Sequence, residues 1–372
     1  MAWAERLESG RYRGRYRDGR GEKQGTPDTY AHKPRAIREA AALEEKARRH
    51  FAADPDAGRR SWGEWCDEWW PTRQIEEQTR ITDEGRRRNH LDPRWGKVPV
   101  GAIRRHDVNA WVSELRASGV NPGTLTHVVR LLSVSLSAAV DEQIIPANPA
   151  ARIKLPPPSA AVERYLTHAE YDAVREQLPT SLDVAIADWL ANSGMRWGEF
   201  TGLHRHRYDA RRGMARVVET FEEKTGRIKA YPKGRRIRSV PVPGWLVEEV
   251  DELLDADPGR CGLEHRGGQA CRSGLLFTTG SGTVLRGSNW SERVWRPAVA
   301  RAGIGHCRVH DLRHTYASWL IEDGVSLARV GKLLGHVSPV TTQRYAHLED
   351  DGFDQVLAAL PAPGLPQVAV TA

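Results

Sequence analysis

Apolar positions along this chain recur mostly at helical spacing, in two blocks separated by a proline-rich gap. In the first block Trp62, Trp65 and Trp69 stand at i, i+3 and i+7, with Trp70 beside them, so one helix face carries a row of indoles. Such a stripe packs a core more often than it stacks nucleic-acid bases. Further helical periods cover 80–92, 106–118 and 122–142, punctuated by Asn121-Pro122 and Gly123. In the second block Thr167 and Glu170 form a Thr-x-x-Glu capping box that opens a helix. Later, Leu312, Tyr316, Trp319 and Leu320 make an apolar stripe at i, i+4, i+7 and i+8, leaving His310, Arg313, His314 and Ala317 on the opposite, polar face. Phe353, Val356, Leu357 and Leu360 predict a last helix in the tail.

Period-two patterning is rarer. It predicts strands in an insert at 214–242. It also occurs in Arg-Tyr-Arg-Gly-Arg-Tyr-Arg at 11–17, where a strand would put Arg11, Arg13, Arg15 and Arg17 on one face and Tyr12 and Tyr16 on the other. Asp18-Gly19 follows as a hairpin-turn signal. An arginine face on a small sheet suits a groove or phosphates; the same stretch reads equally well as a basic tail. Pro146, Pro149, Pro156, Pro157 and Pro158 mark a stiff boundary. The fold class expected is mainly α with a small β-sheet insert (α+β), in several domains. An N-terminal β element covers 1–33, a charged linker helix 34–60, a helical domain 61–150, a linker 151–161, and a mixed domain with its tail helix 162–372.

Composition narrows the partner. The 372 residues carry a net charge of +7, and arginine outnumbers lysine, which favours an anionic partner with nucleic acid first. Arg86, Arg87, Arg88, Arg104 and Arg105 cluster between predicted helices, where they could track a DNA backbone or form a solvated face. The first ten residues hold charges and no apolar run, and no stretch approaches the ~18 apolar residues of a membrane span, so a cytoplasmic, nucleoid-associated protein with no membrane partner is expected. Four cysteines are too few for a disulfide framework. Cys261 and Cys271 flank His265 in a Gly/Arg-rich loop, but a zinc site would want a fourth ligand and tighter spacing; a plain loop and no metal are expected. Gly280-Ser281-Gly282 lacks the lysine and spacing of a phosphate-binding loop.

Four short pieces carry chemistry. Ser193-Gly194-Met195-Arg196 puts a turn before an arginine, with Glu199 one helical turn on. Tyr231-Pro232-Lys233-Gly234 puts a lysine in a turn before the strand-like Ile237 to Val242. His310 and Arg313 sit on one helix face. Leu333-Leu334-Gly335-His336 ends a helix at a glycine, and Ser338 starts another containing Thr341, Thr342 and Tyr345, nine residues beyond His336.

In this order and spacing Arg196, Lys233, His310, Arg313, His336 and Tyr345 closely resemble the signature of the tyrosine recombinase (phage integrase) family: Gly-x-Arg-x-x-Glu, a hairpin lysine, His-x-x-Arg, Leu-Gly-His and a tyrosine nine residues on. The resemblance covers about 162–355 as a catalytic domain, and more weakly 61–150 as a helical core-binding domain. Residues 10–30 look like a shortened arm-binding sheet whose third strand the pattern does not reveal. Of the lysines in the hairpin region, Lys224, Lys229 and Lys233, the last aligns best.

The resemblance implies DNA breaking and rejoining through a 3′-phosphotyrosyl intermediate, integrating mobile DNA at double-stranded attachment sites. It implies a homotetramer on DNA, accessory DNA-bending or excision factors, and no cofactor. Two guanidiniums, Arg196 and Arg313, suit the charge that grows on the non-bridging phosphate oxygens, with His336 as a further donor. A phenol is a nucleophile that can also leave, so Tyr345 stores the bond energy needed for rejoining. The family implies His310 as base toward Tyr345 and Lys233 as acid toward the departing oxygen; Glu199 orients Arg196. A type IB topoisomerase-like nicking and closing enzyme shares this chemistry, and a DNA-binding regulator with a dead site is the alternative of another class.

Overall fold

The computed structural model describes residues 2–17, 22–51, 57–155, 164–254, 259–267 and 270–348. The chain divides into two compact units, 1–161 and 162–372. The tail stripe Phe353–Leu360, the Asp18-Gly19 turn and the prolines 156–158 lie outside the described residues.

The first unit opens with an antiparallel sheet of three strands in sequence order, β1 (Trp3–Arg6), β2 (Tyr12–Arg17) and β3 (Lys23–Tyr30). The third strand that the pattern did not reveal is therefore present. Sequence reading missed it because Lys23–Tyr30 lacks clean alternation: Gly25 and Pro27 interrupt it, and the β2–β3 register shifts between Arg13 and Arg15. Gly14 explains which face is covered. A side chain there would meet the Ala36 carbonyl, because helix α1 (Lys33–Phe51) rests on that face. Arg13, Arg15 and Arg17 of β2 consequently share the other face, with Arg11 just before the strand.

The helical part comprises α2 (Trp62–Trp69), α3 (Glu77–Arg86), α4 (Asp92–Trp95), α5 (Arg105–Ala117) and α6 (Pro122–Asp141). A π-helical turn, Arg87–Leu91, joins α3 to α4. Ser61 caps α2 in a capping box with Glu64. Trp62, Trp65, Trp70 and Trp95 are buried together with Leu125, Val128 and Leu132 of α6. The indole N–H groups of Trp62 and Trp65 donate to the hydroxyl and carbonyl of Ser135. Despite the expectation from sequence, α6 is long and apolar enough by composition to cross a membrane. Its packing against the tryptophans accounts for that composition.

The second unit begins with α7 (His168–Arg175), capped by Thr167 and Glu170, then α8 (Ser181–Ser193) and α9 (Trp197–Thr201). Two small sheets follow. One orders β4 (Tyr208–Asp209), β5 (Met214–Val217) and β8 (Arg238–Pro241); the other orders β6 (Thr220–Glu222), β7 (Arg227–Lys229) and β9 (His265–Arg266), with β9 parallel to β7. The remaining helices are α10 (Gly244–Leu253), α11 (Gly287–Trp290), α12 (Arg296–Ala302), α13 (Asp311–Glu322), α14 (Leu327–Leu334) and α15 (Val340–Gln343).

Helix α13 departs from the polar-face expectation. Asp311 through Ser318 are all buried, since α8 packs on one side and α14 on another. Most of its polar side chains have partners: Thr315 accepts from the Leu166 amide, and Arg313 and His314 reach backbone and side-chain groups of the site below, while the Ser318 hydroxyl has none among the described residues.

Candidate active site

The α8 terminus sets the first piece. Gly194 takes φ +59, and a Cβ there would lie 2.3 Å from the Tyr316 ring, so only glycine fits. The chain then turns so that Arg196 precedes α9. The Glu199 carboxylate, only 1% exposed, accepts from the Arg196 amide (2.9 Å) and Nη1 (2.9 Å). It also accepts from Arg238 Nη1 (3.2 Å) and Nη2 (2.7 Å). Burial opposes its ionisation, but the Arg238 bonds and charge, followed by Arg196, hold the carboxyl at about 2.

Arg238 was not singled out from sequence, although a signal exists. If Val240 and Val242 face inward, period two places Arg238 inward and Ile237 outward; Arg238 is buried and Ile237 is 54% exposed. Its Nε donates to the Leu333 carbonyl at the end of α14 (2.6 Å). One arginine thus ties strand β8 to both the Arg196 turn and the His336 turn.

Arg313 is buried on α13, where its Nη1 donates to the Gly194 carbonyl (2.5 Å) and its Nη2 to the Leu334 carbonyl (2.6 Å). Burial, then Arg196, lower its pKa to about 9, so it stays charged near neutrality. Arg196, Arg238 and Arg313 thus gather around the single carboxylate of Glu199, an excess of positive charge.

Gly335 ends α14 at φ +68 and delivers His336, whose Nδ1 lies 2.8 Å from Thr342 Oγ1. Burial, then Arg313 and Arg196, push His336 down to about 4, so it is neutral near pH 7. Lys233 is exposed in the turn before β8. That turn abuts the His336 segment: a Cβ on Gly234 would come within 2.7 Å of Val337. Lys229, by contrast, points to Glu222 (3.6 Å) and the Tyr231 ring.

His310 lies just before α13 and, with Arg313, Trp197 and Ser288, lines a cleft of about 350 Å³. Burial, then Arg313, lower its pKa. The geometry around Tyr345 differs from the sequence expectation in two ways. Helix α15 ends at Gln343, so Tyr345 follows it rather than lying within it. The side chain next to its hydroxyl is His314, not His310: Nδ1 of His314 is 2.5 Å from the phenolic oxygen. His310 stands edge-on to His314 at 5.2 Å between ring centroids, one helical turn back. Burial, then His310, push His314 down to about 4. The Tyr345 ring itself is 3% exposed, packed with Tyr316, Val330 and Leu334.

The arginines assigned to DNA from sequence are deployed unevenly. Arg86 pairs with Asp83, Arg87 with Asp67 and Asp92, and Arg105 donates to the Ala151 and Arg152 carbonyls. Arg88 and Arg104 are exposed. On the sheet Arg11 bonds Thr29 and Arg15 pairs with Glu5.

A helical fold that gathers arginines, histidines and a tyrosyl hydroxyl defines a DNA strand-exchange enzyme of the tyrosine recombinase class. The phage integrase family model matches residues 160–351, and the chain belongs to that family. It is 30% identical over 245 residues to tyrosine recombinase XerC of Pelobacter propionicus, spanning 62% of this chain and 67% of that protein. It is 27% identical over 310 residues to the prophage phiRv2 integrase of Mycobacterium tuberculosis, spanning 80% and 77%. The Tn1549 transposon integrase, solved with circular intermediate DNA, shares the fold at TM-score 0.68 and 18% identity, covering 81% of this chain and 99% of that one. The lambda integrase dimer bound to a COC′ core site does so at 0.59 and 18%, covering 99% and 97%.

Proposed function

We propose that the chain integrates mobile DNA by cleaving and rejoining strands at attachment sites, with Tyr345 as nucleophile. The observation that carries this reading is the excess of guanidinium charge around Glu199, with Arg313 fixed beside Arg196. A phosphodiester supplies the missing negative charge, and more of it in the transition state than in the ground state. In the reaction the Tyr345 oxygen bonds to phosphorus and the bond to the 5′ oxygen breaks, leaving a 3′-phosphotyrosyl link. The phenolic proton passes to an imidazole, and Lys233 gives a proton to the departing 5′ oxygen. Reversal with a different 5′ hydroxyl completes exchange without an external energy source.

The local geometry adds one refinement. His314, in contact with the hydroxyl and neutral near pH 7, is placed in this conformation to receive the proton, with His310 one helical turn behind it. Tyr345 must also leave its packed position to meet a phosphate, which gives the tail after it a role in control. Solved relatives include a lambda integrase tetramer on a Holliday junction. A homotetramer on DNA, in the bacterial cytoplasm, is the corresponding assembly here, with the helix predicted at 353–360 docking on a neighbour.

The test is expression in cells carrying candidate attachment DNA, followed by junction sequencing. Unique junctions with wild type and none with Tyr345→Phe support integration. Nicking and closing with no exchanged junctions points to a topoisomerase, and DNA binding without either points to a regulator.

A further inference from the structure

We propose that this chain binds one structural zinc ion through His204, Cys261, His265 and Cys271. A fourth ligand within reach of the loop was what the sequence lacked. The fold supplies it from 57 residues upstream of Cys261. One donor atom from each of the four residues lies within 4.8 Å of every other. Cys261 Sγ is 3.2 Å from His265 Nε2 and 3.4 Å from Cys271 Sγ. A tetrahedral zinc with bonds of about 2.1–2.3 Å spaces its ligands by roughly 3.4–3.8 Å, so the two short pairs open slightly and no pair has to close by more than about 1.4 Å. A disulfide would bring the sulfurs to ~2.05 Å and would use neither histidine.

His204 gives the second, independent sign. It is wholly buried, and its Nε2 has no hydrogen-bond partner among the described residues. Its other nitrogen, Nδ1, is 3.1 Å from the Gly202 carbonyl and 2.8 Å from Glu219 Oε2. The Gly202 carbonyl accepts from Nδ1, so in the neutral ring Nδ1 carries the proton and Nε2 presents a lone pair; Glu219 Oε2 is close but makes no hydrogen bond among the described residues. The Gly202 carbonyl thus fixes the tautomer, and the Glu219 charge beside the ring strengthens the ligand. Glu219 is itself anchored by Arg207 (3.3 Å).

The backbone delivers all four groups independently of a metal. Arg205 N donates to the Gly274 carbonyl and Leu276 N to the Leu203 carbonyl, pinning His204 beside the segment after Cys271. His265 opposes Ile228 in the β7–β9 pair. The Cys261 amide donates to Cys271 Sγ. Around the cluster, only a small apolar group forms, with Phe221, Ile228 and Leu275 buried. Gly259, Gly262 and Gly267 all take positive φ, so this insert has little core and a high ordering cost. A Cys2His2 zinc supplies the missing cross-link and holds β9 against β7, the strand that leads toward Lys233.

The proposal does not depend on recombination activity. Full-length protein purified under reducing conditions is expected to carry about one zinc per chain by elemental analysis. Replacement by Co²⁺ should give the thiolate-to-cobalt charge-transfer band and the intense d–d bands of a tetrahedral site. Cys271→Ser and His204→Ala should each lose the metal, while Cys307→Ser, outside the cluster, should keep it. Chelation should lower the melting temperature of wild type and leave that of Cys271→Ser unmoved. Zinc absent even after incubation with Zn²⁺, with Cys261 and Cys271 titrating as free thiols or joined in a disulfide, overturns the proposal. So does metal retained in both ligand variants. Because the cobalt spectrum is read on wild type, a misfolded variant does not blur the result.

Discussion

Arginines shielded from solvent in this chain are held in two opposite ways. In the first unit Arg73 pairs with Asp83 at 2.6 Å and lies over Trp69 and Trp70. Arg87 reaches Asp67 and Asp92 and covers Trp62 and Trp70. Each charge there is met by a carboxylate and roofed by indoles. In the second unit Arg313 is held by two backbone carbonyls, and no carboxylate pairs with it among the described residues. The first arrangement cross-links a fold. The second, on the proposed function, holds a charge in place for a phosphate. Burial alone does not separate the two uses; the identity of the partner atoms does.

The most severe way to break this contrast is Arg313→Ala. Cleavage should fall by ~10²–10³ or more through loss of a transition-state donor. Stability should fall as well, since the Gly194 and Leu334 carbonyls lose their partner at a cost of about 1–3 kcal/mol each. Arg313→Lys restores charge without the two-pronged fork, and should recover folding better than cleavage, as measured by urea unfolding beside cleavage rate.

Glu199→Gln comes next. The carboxyl is held at about 2 against an ordinary 4.5, worth about 3 kcal/mol near neutral pH. A depressed acid stabilises above its unfolded pKa, and the effect disappears as pH falls from 4.5 toward about 2. Wild type should therefore lose stability in that window relative to Glu199→Gln, which starts lower and changes less. His314 and His336, both held neutral at about 4, act over a higher window. The unfolded chain takes up protons there first, so stability should decline as pH falls from about 6.5 to about 4. Paired His314→Ala and His336→Ala variants should flatten that slope.

In the first unit Arg87→Ala should cost about 1–3 kcal/mol of stability with little change in cleavage per bound enzyme. Equal losses of both would erase the distinction between the two groups. Smallest of all is Arg15→Ala. Its pair with Glu5 is partly exposed, so stability should change by under ~1 kcal/mol. The salt dependence of DNA binding should become shallower if that face meets phosphate.

The parts of this site legible in the sequence are those fixed by short spacings on one element. Gly194, Arg196 and Glu199 lie within six residues, and His310 and Arg313 within one helical turn. What escaped depends on distant elements meeting. His314 gains meaning only when the end of α15 carries Tyr345 to it, and the burial of α13 on several sides hid its polar groups from a one-stripe reading. His204 lies too far along the chain from Cys261 for any ligand-spacing pattern to include it. The third strand was masked by Gly25 and Pro27 and by the shifted register. Arg238 was a recoverable miss, because the phase of Val240 and Val242 already pointed it inward.

The central claim is that Tyr345 forms the covalent link to DNA in the field of Arg196 and Arg313. The direct measurement is trapping on a nicked suicide duplex containing a mapped attachment site, followed by digestion and mass spectrometry of the nucleotide-bearing peptide. The account predicts a nucleotide on Tyr345 in wild type, and no adduct with Tyr345→Phe at undiminished DNA binding. An adduct on another residue, or one that persists in Tyr345→Phe, would contradict it.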